Sequence, residues 1–166
     1  MTARPWVCII LGSDSDASVM SQACAVLDET GVAYEMKVTS AHRSPERTKQ
    51  IVVESEEAGA AVFIAGAGMA AHLPGVVASL TNKPVIGVPL IGSTLQGLDA
   101  LLAIAQMPPG VPVATVAIGG ARNAGILAAQ ILALTDSGLA ERLKEQRSSM
   151  AATVAEKSKP VERSTR

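Results

Sequence analysis

Most of the chemistry this chain can offer sits in three short stretches. The first is Thr39-Ser40-Ala41-His42-Arg43-Ser44-Pro45-Glu46-Arg47-Thr48, directly behind the apolar alternation Tyr34-Glu35-Met36-Lys37-Val38. A cation beside an imidazole disfavours imidazolium, so His42 next to Arg43 suits a neutral proton carrier near pH 7, with the guanidinium left to fix an anion. The plainer alternative is a hydrogen-bonded structural histidine and an exposed arginine. The second stretch is Gly12-Ser13-Asp14-Ser15-Asp16. Gly12 permits a tight turn, Ser13 and Ser15 offer hydroxyls, and the helix expected next presents free N–H groups and the positive end of its dipole to a phosphate or carboxylate. Ser15 or Asp16 as an ordinary helix cap is the competing reading. The third stretch, Gly66-Ala67-Gly68-Met69-Ala70-Ala71-His72-Leu73-Pro74-Gly75, holds the second of the two histidines. Its small residues let backbone amides approach a flat ligand, while His72 and Leu73 close one side. For His72 a bond to backbone is the alternative.

Several other chemistries are excluded. Gly66, Gly68 and Ala71 match a dinucleotide pattern, but the pattern follows the third apolar run instead of the first. The positions about 20 residues beyond Gly68 carry no acid for a ribose hydroxyl. Two histidines without a carboxylate or cysteine at ligand spacing make no zinc site. No G-x-S-x-G or Walker A sequence occurs, the third run ends without the aspartate a phosphotransfer receiver needs, and a flavin would lack aromatic flanks. No cofactor and no metal is expected.

The elements that must position these residues follow from the apolar pattern. Runs rich in branched aliphatics recur at residues 6–12, 34–40, 61–66, 84–90 and 112–119, separated by helix-like segments. That alternation predicts an α/β, three-layer αβα domain around a parallel sheet of five strands, with the flavodoxin-like order 2-1-3-4-5. In the first helix Met20, Ala23, Cys24 and Leu27 share one face and Gly31 supplies the stop. A second opens with Ser44 as N-cap and Pro45 at its first position, and closes at Gly59. A third begins near Pro74, a fourth spans Leu95 to Met107, and a fifth covers residues 121–134. Residues 1–136 are expected to form the catalytic domain. In 137–166 only Leu139, Leu143, Met150 and Val154 form an apolar stripe, which predicts a C-terminal helix packing on a neighbouring subunit and a frayed tail from Ser158. Ligands of such sheets bind at the carboxyl ends of the strands where the order reverses. The three chemical stretches converge on that crevice.

Composition narrows the partners. Of 166 residues, 48% are hydrophobic and 17% charged, yet one Trp, one Tyr and one Phe occur. Ala, Val, Ile and Leu are the residues of a buried parallel sheet, and their surplus predicts apolar surface hidden between subunits. A net charge of −1 and few aromatics argue against nucleic acid and anionic membranes. No run approaches a spanning helix and no signal-peptide pattern opens the chain, so a cytoplasmic location is expected. Cys8 and Cys24 fall on apolar faces and are expected to be inert thiols.

Together GSDSD, SAHRSP, GAGMAAHLPG, GVPL and QMPPGVPVATVAIG resemble the class I N5-carboxyaminoimidazole ribonucleotide mutases, in order, from about Val7 to Leu134. The resemblance implies a cofactor-free transfer of a carboxylate from the exocyclic nitrogen of an aminoimidazole ribonucleotide to C4 of its ring, in de novo purine synthesis. It implies decarboxylation in a closed pocket, retention of CO2 and attack by carbon, with His42 moving the proton displaced from C4. Arg43, Ser15 and Ser40 would hold the 5′-phosphate, Ser13 would contact substrate and Asp16 would accept ribose hydroxyls. His72 and the backbone of Gly66, Ala67 and Gly68 through Ala71 would line the base and CO2. The family assembles as a homo-octamer. Ser44 stands where threonine is more common and Met69 where glycine often is, and the turn before Asn123 is about a residue short.

Two alternatives stay open. A class II enzyme carboxylating aminoimidazole ribonucleotide directly with CO2 typically carries lysine at the Arg43 position and lacks the AAHLPG loop. A non-catalytic nucleotide-binding module would bind ligand without needing His42.

Overall fold

Residues 4–159 and Val161 are described in the computed structural model of the chain. The strands are β1 Trp6–Leu11, β2 Tyr34–Val38, β3 Ala60–Gly68, β4 Val85–Leu90 and β5 Ala114–Thr115; the helices are α1 Ala17–Thr30, α2 Pro45–Glu57, α3 Leu73–Leu80, α4 Leu98–Ala105, α5 Ala121–Leu132 and α6 Ser137–Ser158. All strand pairs are parallel, in the order β2-β1-β3-β4-β5. The expected order is therefore the observed one.

Strand periodicity builds the layers. Successive side chains point to opposite faces, so Val7, Ile9 and Leu11 of β1 join Val62 and Ile64 of β3 beneath α1 and α5. Cys8 and Ile10 join Phe63, Ala65 and Ala67 beneath α2, α3 and α4. Both faces of β1 and β3 are covered, which is why their sequences read as unbroken apolar runs. β2 lies at the edge, and Met36 and Val38 remain exposed.

The helix ends follow local chemistry. Gly31 stops α1 at φ 70° with its N–H on Asp28 and Leu27 carbonyls, the left-handed cap its lack of a Cβ allows. α4 is shorter than Leu95–Met107 because Gln96 and Gly97 both adopt positive φ, 53° and 87°, and break the pattern at its start. β5 keeps only two residues of the expected 112–119: Ala114 and Thr115 pair in register with β4, and beyond them the Val116 and Gly119 N–H groups still reach the β4 carbonyls of Gly87 and Pro89 without continuing that register.

The first turns of α6 pack on the chain's own body: Asp136 Oδ1 caps it by accepting from Leu139 N at 2.9 Å, Leu139 is buried, and Arg142 Nε donates to Thr30 O at 2.8 Å. Met150 and Val154 are exposed on its far half. The expected fraying of the tail falls on residues that, beyond Lys159 and Val161, lie outside those described. Among the described residues no helix is long and apolar enough to cross a membrane. Cys8 and Cys24 are both buried free thiols, and burial pushes both upward in pKa, away from thiolate reactivity.

Candidate active site

The loop after β1 is set by a reciprocal cap. Ser13 is extended, φ −151° and ψ 156°, and opens a 3-10 turn over Asp14–Asp16. Its Oγ accepts from Ser15 N at 3.4 Å, while Asp16 Oδ2 accepts from Ser13 N at 3.1 Å. Capping thus falls to Ser13 and Asp16 jointly, the arrangement of a capping box. Ser15 Oγ is left at the surface, donating to Ser13 Oγ at 3.0 Å. Partial burial pushes the Asp16 carboxyl upward, the Ser13 N–H pulls it back down, and Asp14 adds a smaller upward push.

The loop after β2 hangs on buried hydroxyls. Thr39 and Thr48 are 4% and 0% exposed and share a hydrogen bond of 3.0 Å; Thr39 Oγ1 also meets Ser44 Oγ at 3.2 Å. Ser44 does occupy the N-cap position of α2, but its side chain does not cap the helix. It donates to Ser40 O at 3.1 Å and accepts from Ser40 N at 3.2 Å, closing the turn that carries His42 and Arg43. Ser40 Oγ accepts from Arg43 N at 3.2 Å and from Nε at 3.5 Å, aiming the guanidinium along the loop. Thr39 and Thr48 went unread in the sequence; the signal was a threonine one turn beyond Ser44 on the inward face of α2.

The loop after β3 needs its glycines for close approach. A Cβ on Gly66 would lie 2.6 Å from Met20 Sδ, and Gly66 O accepts from Gly12 N at 3.0 Å, which ties the first and third loops. A Cβ on Gly68 would lie 3.1 Å from Leu90 O. Met69 adopts φ 56°, a left-handed conformation that costs a residue with a Cβ about 1 kcal/mol or more. Its side chain is 58% exposed, so Met69→Gly forfeits little packing and removes that strain. The variant is expected to unfold about 1 kcal/mol later in urea, offset in part by the greater entropy of an unfolded glycine.

His42 and His72 meet where the second and third loops touch. His42 Nε2 and His72 Nδ1 are 2.8 Å apart, with ring centroids at 4.9 Å and planes at 80°. One ring must supply the N–H and the other the lone pair, so the contact holds only while at least one ring is neutral. Each can set the other's tautomer, as a base needs from its orienting partner.

A cavity of about 510 Å³ opens between these loops, in the size range of small-molecule sites. Of the residues expected to form the site, Ser13, Ser15, Asp16, Ser40, His42, Arg43, Ala67, Gly68 and Leu73 line it. Gly66 is buried against Met20 and does not line it, and His72 stands against His42 without lining the cavity itself. Ile91 and Gly92, which also line it, were missed, although they follow β4 at the same carboxyl edge of the sheet. Among the described residues no group of three or more His, Cys, Asp or Glu could hold a metal ion.

The family model described as AIR carboxylase matches residues 6–153. The N5-carboxyaminoimidazole ribonucleotide mutase of Thermotoga maritima is 55% identical over 158 residues, 95% of this chain and 92% of that protein. The protein of the same name from Bacillus subtilis is 54% identical, covering 93% and 97%. The phosphoribosylaminoimidazole carboxylase of Saccharomyces cerevisiae is 51% identical over 142 residues, 86% of this chain but 25% of that longer protein. Among solved structures, Treponema denticola PurE superposes with a TM-score of 0.88 at 28% identity, covering 96% of this chain and 100% of that one.

Proposed function

The chain belongs to the AIR carboxylase family, and from that premise we propose that it is an N5-carboxyaminoimidazole ribonucleotide mutase of purine biosynthesis. It moves a carboxylate from the exocyclic nitrogen to C4 of the aminoimidazole ring. The observation that carries this reading is that His42, Arg43, Ser13 and Asp16, from two separate strand ends, line one cavity.

The chemistry balances without an added reactant. The N–carboxylate bond breaks and a C4–carboxylate bond forms; C4 loses a proton and the nitrogen gains one. A single carrier that gives a proton in one half and takes one in the other returns to its starting state, and His42 is the titratable group suited to that task. His72 orients it through the 2.8 Å contact. Arg43 with Ser15 and Ser40 grips the 5′-phosphate, remote binding that fixes the ring over His42. Asp16 accepts from ribose hydroxyls and Ser13 contacts the nucleotide. Ala67, Gly68 and Leu73 give an apolar wall that favours charge-dispersing loss of CO2 and retains the neutral molecule.

Exposed Leu98, Leu102, Leu134, Met150 and Val154 support assembly into a homo-octamer in which the far half of α6, within the 137–166 segment, lies on a neighbour. A cytoplasmic location accords with this chemistry.

A second reading is favoured by the description of the matched family and by the yeast relative's name: direct carboxylation of aminoimidazole ribonucleotide. The purified protein is therefore given either the N-carboxylated nucleotide or aminoimidazole ribonucleotide with bicarbonate. A mutase converts the first rapidly; efficient turnover of only the second at physiological bicarbonate overturns the assignment in favour of the carboxylase.

A further inference from the structure

Beside the main cavity lies a second of about 390 Å³, and the two share Gly12, Ser13, Ser40 and Arg43 as a common wall. What the second adds is the start of α2, with Ser44 and above all Arg47. Arg47 is exposed, and its Nε donates to Val38 O at 3.4 Å, across the end of β2. Neither Arg43 nor Arg47 has a carboxylate partner among the ion pairs of the described residues. Asp14, the one acid on this cavity wall, instead accepts from Ser13 Oγ at 3.0 Å.

Two guanidiniums, both without an ion-pair partner, therefore border one compartment that opens onto the cavity of the reacting groups. An arginine carries its charge at any accessible pH, and a pair of them with two hydroxyls is the donor set for a phosphate dianion. The main cavity holds His42 and so must take the reacting ring, which leaves the adjoining compartment, where the two guanidiniums meet, for the phosphate.

We propose that Arg47 is a phosphate-binding residue: the nucleotide spans the two cavities, with its base over His42 and its 5′-phosphate seated between Arg43 and Arg47. This rests on the nucleotide reading of the site. It deepens that reading by giving the phosphate its own compartment and a second cation beyond the SAHRSP segment.

The test is equilibrium binding of aminoimidazole ribonucleotide and of its 5′-dephosphorylated nucleoside to wild-type protein and to Arg47→Met. Methionine keeps much of the stem and removes the charge. The expected result is a loss of affinity of roughly tenfold or more for the nucleotide, typical of one charge-assisted contact, and none for the nucleoside. Arg47→Lys should recover part of the loss. Equal weakening of both ligands, or of neither, overturns the proposal and leaves Arg47 as a brace for the end of β2. Wild-type protein that binds nucleotide and nucleoside equally well overturns the phosphate compartment altogether. If wild-type protein binds neither, it is the nucleotide reading of the whole site that fails.

Discussion

His42→Asn is expected to lower kcat by roughly 10² to 10⁴, the usual span for removing a general acid–base group, while affinity for aminoimidazole ribonucleotide changes by about twofold at most. Asparagine is polar and of similar reach but has no titratable nitrogen. The binding groups Ser13, Asp16, Ser40 and Arg43 belong to hydrogen-bond networks that do not include the imidazole. Steady-state rates and calorimetry on the same preparation separate the two quantities. A variant that turns over at the parental rate removes His42 from the mechanism. One that loses binding in proportion to rate makes it a substrate contact instead.

Gly125→Ala is expected to destabilise the fold by about 2 kcal/mol, even though alanine is the better helix former. Gly125 lies within α5, where the change would by propensity alone stabilise by about 1 kcal/mol. Against this, a Cβ there would sit 2.9 Å from Ala23 O, 3.1 Å from Ala23 Cα and 3.1 Å from Val26 Cβ. Two of those three atoms are backbone of α1, which cannot swing aside as a side chain can. Overpacking of this kind costs typically 1–3 kcal/mol, here at the upper end, so sterics win. The midpoint of thermal unfolding should fall by about 4–8 °C. A rise in the midpoint would show that α1 and α5 separate easily. Because α1 begins where the Ser13–Asp16 turn ends, its displacement should also raise KM.

The sheet order and the position of the site were legible because both depend on features that repeat. Val7 to Leu11 and Val62 to Ala65 are apolar on both faces, and that alone assigns them to a central parallel layer. The three loops carrying His42, Ser13 and Gly66 then follow from connectivity. What escaped the sequence depended on single contacts. Ser44 has the type and place of a helix cap, yet its hydroxyl finds Ser40 closer at hand. Nothing about the residue before Pro45 distinguishes those two partners. Met69 stands where glycine often is, but that it takes up the left-handed conformation itself shows only in its φ, and β5 reads as a full strand although only Ala114 and Thr115 pair in register with β4. Arg47 was given no role in the sequence; only the fold sets it on one cavity wall with Arg43.

The position of β1 between β2 and β3 has a consequence for how the protein comes into being. Of the five strands β1 is made before the others, and its partner on the β3 side is more than fifty residues behind it. Until that stretch has been synthesised, Val7 to Leu11 can be covered on one edge only. The nascent chain must therefore carry an unpaired, water-averse ribbon for several seconds at ordinary elongation rates. A ribosome stalled between α2 and β3 should expose a segment prone to sticking to its neighbours, and one stalled after α3 should not.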